Sequence, residues 1–131
     1  MKFEKSCGAF ILKDNKVLLI KSKKGEYGFP KGHIEYGETE EETAIREVKE
    51  ETNISININS KFRYDIEYNI KDNILKEVVY YLGIVIDDSN IVKQDSEIDA
   101  IFWVDIDKVN NCLKYDNIKK IWNQFLTEYK M

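Results

Sequence analysis

Apolar residues gather in short continuous runs in part of the chain, alternate at period two in another part, and fall three or four apart in two stretches. "KSCGAFIL" and "VLLIK" are short and rich in apolar or β-branched residues, and the "DNK" between them favours a tight reversal, so a hairpin is predicted to open the fold. Further on, "ISINI" and "KFRYDIEYNI" alternate at period two and "KDN" turns. "ILKEVVYYLGIVI" carries enough β-branched and aromatic residues for a long central strand, and "AIFWV" continues the sheet. The first helical stretch has an explicit start: Thr39 followed three positions later by Glu42 makes a capping box, with Ala44, Ile45 and Val48 as a narrow apolar stripe. The second, "DNIKKIWNQFLTEYKM", places Ile118, Ile121, Trp122, Phe125, Leu126 and Tyr129 at helical spacing behind an aspartate, the pattern of a packing helix. Residues 22–38, "SKKGEYGFPKGHIEYGE", hold four of the six glycines and the single proline, Pro30, and predict a structured loop before the first helix. The order β-β-loop-α-β-β-β-α predicts an α/β (α+β) fold, a mixed sheet with helices on its faces.

Composition narrows this picture. With 131 residues, 43% of them hydrophobic, one domain spanning 1–131 is expected. A net charge of -4 argues against a broad basic surface for nucleic acid or anionic membrane, although a local cationic groove is compatible with it. The start, "MKFEKSCGAF", lacks the apolar core of a signal peptide, and "VVYYLGIVI" is far short of the ~18 residues of a membrane span, so a cytoplasmic protein with no membrane partner is expected. Cys7 and Cys112 have no metal-site spacing and are expected to be two buried thiols.

The first helix is crowded with acids. At 100° per residue, Glu47 lies about 40° from Glu51 and about 60° from Glu50 around the axis, and each like-charged pair costs roughly 0.2–0.5 kcal/mol on an exposed helix. A shared cation would offset that repulsion, and hard oxygen ligands suit Mg²⁺ or Mn²⁺, whose coordination is commonly completed by substrate phosphates. A solvated acidic face is the alternative reading of the acids alone.

The wider pattern is more specific. Gly32, five residues, Glu38, seven residues, Arg46, Glu47, Val48, one residue, Glu50, Glu51, two residues and Ile54 resembles the Nudix box, G-x5-E-x7-R-E-U-x-E-E-x-G-U, where U is aliphatic. Asn53 stands where that box has glycine; it ends the helix, and asparagine tolerates the left-handed backbone such an end requires. The resemblance implies an α/β/α sandwich and hydrolysis of a nucleoside diphosphate linked to another moiety. It implies Glu47, Glu50 and Glu51 as metal ligands with the carbonyl of Gly32, Arg46 holding the acids in position, and Glu38 in support. The general base differs among members of the family; Glu47 is the first choice and Glu97, in "QDSEIDAIFW", the second.

"YGFPKGHIEYGE", "LKEVVYYLGIV" and "SEIDAIFW" resemble the diadenosine tetraphosphate hydrolase branch, with Tyr27 where tryptophan is common. That likeness implies asymmetric cleavage to ATP and AMP, with Lys31, His33 and Lys76 as phosphate contacts. Tyr64, Tyr68, Tyr80 and Phe102 are candidates for stacking on a base, no more than two of them being needed. The expected partner is a small nucleotide. The alternatives within enzymes are a nucleoside triphosphate, oxidised nucleotides included, or the 5′ end of an RNA; outside them stands a non-catalytic nucleotide sensor.

Overall fold

In the computed structural model, which describes residues 2–130, β1 (Lys2–Lys13) and β6 (Ile74–Asp87) run parallel side by side, in register from Lys2 opposite Ile74 to Leu12 opposite Ile84. Successive side chains point to opposite faces, so Cys7, Ala9, Ile11, Val79 and Tyr81 enter one layer of the core and Phe10, Val78, Tyr80 and Leu82 the other. Burial on both faces is why these two strands read as near-continuous apolar runs.

The remaining strands are added around this pair. β2 (Lys16–Ser22) follows β1 through Asp14 and Asn15, both at positive φ (52° and 63°), the conformation a two-residue hairpin needs and short polar side chains tolerate. It pairs with β1 only at Leu12–Val17 and Lys13–Lys16, then diverges. β5 (Ser55–Ile70) lies antiparallel on β6 and β7 (Ile98–Asp105) on β2. The stretches "ISINI" and "KFRYDIEYNI" form one strand, β5, with an irregularity in its pairing between Asn59 and Arg63. The glycine-rich loop contains two short strands that periodicity could not reveal: β3 (Tyr27–Gly28) on β2, and β4 (Lys31–His33) on β1 opposite Ser6–Gly8. The gap left where β2 leaves β1 is thus filled by the loop.

Two contacts fix that loop. Phe29 is buried edge-on against Phe10 with ring centroids 4.6 Å apart. Ala9 N–H donates to the Pro30 carbonyl at 3.2 Å, an approach that a Cβ on Gly8 would block by overlapping the same oxygen.

One helix covers each face. α1 (Glu40–Thr52) starts with the expected capping box: Glu42 N–H donates to Thr39 Oγ1 at 3.1 Å and Thr39 N–H to Glu42 Oε1 at 2.9 Å. It buries Thr43, Ala44, Val48, Glu51 and Thr52. Ile45 departs from the predicted stripe and is 37% exposed, because at 100° per residue it falls at the rim of the buried face, about 20° beyond Thr52. α2 (Asp116–Tyr129), preceded by a 3-10 helix at Ile106–Asn111, packs Ile121, Trp122 and Phe125 on the other face among Phe10, Phe29, Tyr64 and Tyr80. Cys7 is buried as expected, whereas Cys112 is only half-buried, at the end of the 3-10 helix. Among the described residues no helix is long and apolar enough to cross a membrane.

At its N-terminal end α1 is tied to three strands by Glu40, which accepts from Arg63 Nε and Nη2 at 2.9 Å each and from the Tyr81 hydroxyl at 2.7 Å, and forms an ion pair with Lys5. The Arg63 guanidinium, first among these partners, holds the Glu40 carboxyl at about 2, below its ordinary value of 4.5. A carboxyl depressed in the folded state stabilises the fold above its unfolded pKa and stops doing so as pH falls through the folded value. Melting temperature should therefore drop as pH is lowered from about 4.5 to 2, with Glu38, held low in the same way, contributing. In Glu40→Gln the neutral-pH stability should fall by about 1–3 kcal/mol and the acid-induced drop should be shallower, as read by thermal denaturation across that range.

Candidate active site

The C-terminal two turns of α1 face the glycine-rich loop, and Arg46 organises the ground between them. Its Nε and Nη2 grip Glu38 with both arms, at 2.6 and 3.0 Å; Nη2 also donates to the His33 carbonyl at 2.9 Å. Nη1 reaches Glu47 at 2.8 Å and Glu50 at 3.1 Å. Such a planar fork matches carboxylates in a fixed geometry, which a lysine could not do. Arg46 holds the Glu38 carboxyl down at about 2, and Glu38 is seated further by Thr43 Oγ1 at 2.8 Å and the Glu35 N–H at 3.0 Å.

Glu47 and Glu51 meet a different environment. A Cβ on Gly32 would overlap the Glu47 carboxylate, so the loop backbone can lie against that acid only because residue 32 is glycine. Burial raises the pKa of Glu47. Glu51 is 5% exposed, and its Oε1 accepts the Lys31 N–H at 2.9 Å. Burial, followed by the charge of Glu47, pushes it up to about 8. Lys31 is driven the opposite way, its pKa lowered by burial and by Lys76.

Glu51 and Lys31 open on a cleft of about 770 Å³ on the α2 side of the sheet. Lys31, Glu51 and Glu97 lie at its acidic end, and Tyr27, Tyr68, Tyr80 and Tyr115 line the rest with Phe29 and Ile118. Glu97 is an exposed acid just before β7. Its charge raises the pKa of both Glu47 and Glu51, which brings Glu97 into one electrostatic site with the acids of α1.

The four aromatic candidates are distributed unequally. Tyr68 lines the cleft, and so does Tyr80, though it is only 2% exposed and stacks on Phe10. Tyr64 shares their face of the sheet but is roofed by α2: its ring lies against Phe125 and its hydroxyl donates to Glu128. Phe102 is 41% exposed on β7, beside Tyr27 with centroids 5.9 Å apart, and is not part of the cleft wall. Of the cationic candidates, Lys31 lines the cleft. Lys76 sits opposite Tyr68 in the β5–β6 register, and its Nζ lies 3.4 Å from Nε2 of the exposed His33. Sequence reasoning missed Tyr115, which faces the cleft from the segment before α2 and donates its hydroxyl to Glu26 at 2.7 Å. No local pattern in the sequence marks it.

The donor set suits a divalent cation. Glu47, Glu50, Glu51 and the Gly32 carbonyl are hard oxygen donors on two adjoining segments, and a buried carboxylate pushed as high as Glu51 is one whose charged form a dication would favour. The side chains are nevertheless divided: Arg46 draws Glu47 and Glu50 to one side and the Lys31 N–H draws Glu51 to the other. Among the described residues the group of three acids that each bring a carboxylate oxygen within 4.8 Å of the others is Asp65, Glu67 and Glu77, on β5 and β6, where Glu77 leans on Lys5 at 3.4 Å.

Comparison with known proteins identifies a family and a fold. The family model described as NUDIX domain matches residues 2–125. The rat bis(5'-nucleosyl)-tetraphosphatase [asymmetrical] is 31% identical over 93 residues, covering 69% of this chain and 63% of the relative. The ADP-ribose pyrophosphatase of Methanocaldococcus jannaschii is 54% identical over 48 residues, covering 34% of this chain and 28% of that protein. The match therefore spans less than two thirds of either relative. Among solved structures, a C. elegans Ap4A hydrolase in a binary complex superposes with a TM-score of 0.85 at 24% identity, over 97% of this chain and 98% of the other, a likeness of fold.

Replacing Gly32 by alanine should displace the Glu47 carboxylate. Mg²⁺ affinity measured by calorimetry should fall at least about tenfold, while the far-UV circular dichroism stays that of the wild type. Unchanged affinity would separate Gly32 and Glu47 from the metal site.

Proposed function

The chain belongs to the NUDIX domain family, and from that premise we propose that it hydrolyses a pyrophosphate bond in a nucleoside diphosphate-linked substrate. The preferred substrate in this reading is diadenosine tetraphosphate, cleaved asymmetrically to ATP and AMP. The observation that supports it is the cleft, which brings Glu51 of α1 and a wall of tyrosines into one cavity. Glu47, Glu50, Glu51 and the Gly32 carbonyl would hold Mg²⁺ or Mn²⁺. When bound, such an ion neutralises phosphate charge and lowers the pKa of a coordinated water.

The chain's own residues supply the rest. Arg46 fixes Glu38, Glu47 and Glu50 in a single orientation, so that little reorganisation accompanies substrate binding. Lys31 and Lys76 offer positive charge to the polyphosphate, Lys31 within the cleft and Lys76 beside His33 next to it. Tyr68 and Tyr115 present aromatic surface to a base, a sequence-tolerant contact that leaves the choice of anhydride to the acidic end. Glu47 takes the proton of the attacking water; Glu97 is the second candidate for that role, facing the cleft without the Arg46 clasp.

The test is a panel of diadenosine polyphosphates, ADP-ribose, normal and oxidised nucleoside triphosphates and triphosphorylated RNA, with Mg²⁺ in ¹⁸O-labelled water. Diadenosine tetraphosphate should give the highest kcat/KM, with ATP and AMP as products and the label in one of them; a preference for nucleoside triphosphates would overturn the substrate assignment. Glu51→Gln should lower kcat by at least about 100-fold. Tyr68→Ala should raise KM by roughly five- to tenfold, the scale of one lost stacking contact, and leave kcat close to wild type.

A further inference from the structure

Asn53 occupies a backbone conformation that does not need a side chain. At φ 62° and ψ 20° it is the left-handed residue that ends α1, a position glycine fills without strain. The asparagine side chain reaches further: its Nδ2 donates to the Asn90 carbonyl at 2.8 Å.

From Asn90 the chain runs along the end of α1. The Val92 N–H donates to the Thr52 carbonyl at 3.0 Å and the Gln94 N–H to the Glu51 carbonyl at 3.1 Å. Both carbonyls belong to the last turn of the helix, which has no partners of its own for them. The loop then closes on itself and on β2, Ile98 N–H donating to Gln94 at 3.2 Å and Lys23 N–H to Glu97 at 3.1 Å. Three successive contacts thus seat an otherwise exposed loop on the helix that carries Glu47, Glu50 and Glu51, and its last residue before β7 is Glu97, at the edge of the cleft. Only the first of the three depends on a side chain.

We infer that Asn53 is a positioning residue: its side-chain amide docks the 88–97 loop on the C-terminus of α1 and so sets Glu97 against the acidic end of the cleft. The kinetic part of this inference rests on the hydrolase reading, whereas the docking is measurable without turnover.

Asn53→Gly keeps the left-handed helix end and removes the amide; Asn53→Asp keeps the size but cannot donate. In both variants hydrogen exchange at Val92 and Gln94 should quicken at least about fivefold while the interior amides of α1 keep their protection. In both, kcat should fall about three- to tenfold with KM within about twofold, and in a Glu97→Gln background Asn53→Gly should cause no further loss, the non-additivity expected of residues acting through one another. Unchanged exchange at Val92 and Gln94, a wild-type Asn53→Asp, loss of the folded state in Asn53→Gly, or an equal kcat loss with and without Glu97 would each overturn the inference. If the wild-type chain turns over nothing in the panel, the hydrolase reading fails by itself and the exchange measurement decides the docking.

Discussion

The arrangement of the site depends on one guanidinium. Arg46 engages Glu38, Glu47, Glu50 and the backbone of His33 together, and so joins two turns of α1 to the loop that precedes it. Without that cation the same acids would repel one another across adjacent turns. With it, the repulsion becomes a constraint on orientation: every donor of the fork is committed, and each acid that shares it is restricted to a narrow set of positions. Because Arg46 is only partly exposed, these interactions are less screened by salt than surface pairs would be.

The acids are then separated by environment rather than by identity. Glu38, next to Arg46 and two further donors, is held ionised far into acid. Glu51, five residues beyond Arg46 on the same helix, turns into the protein, where burial and the neighbouring charge of Glu47 disfavour its anion. The loop before α1 therefore holds a structural carboxylate, and the helix a carboxylate in want of a cation. Lys31, whose N–H meets Glu51 while its own charge is disfavoured by burial, is too weakly solvated to be an ordinary surface lysine.

What the sequence revealed was local. The capping box at Thr39, the turns at Asp14–Asn15 and Asp72–Asn73, and the spacing of Gly32 through Ile54 each depend on residues a few positions apart, and all have counterparts in the structure. The continuity of β5 was hidden because an irregular pairing interrupts its alternation. β3 and β4 are two and three residues long, too short for any period. The stacking candidates show the limit most clearly: period two sends Tyr64, Tyr68 and Tyr80 to one face, but which of them meets solvent is decided by where α2 crosses the sheet, and that is set by packing between distant segments. Tyr115 and the second role of Asn53 depend in the same way on neighbours remote in sequence, Glu26 and Asn90.

The parallel pairing of β1 with β6 has a consequence for how the molecule assembles. Strands that begin at residues 2 and 74 must meet before either has its full set of partners, and that long closure is slow compared with the formation of a capped helix. During synthesis α1 can wind with its acids already on successive turns, but Cys7 and Ala9 gain the flanking Val79 and Tyr81 only after β6 has emerged from the ribosome. A nascent chain cut short of residue 87 would therefore carry the whole box and still lack the floor on which the cleft is built.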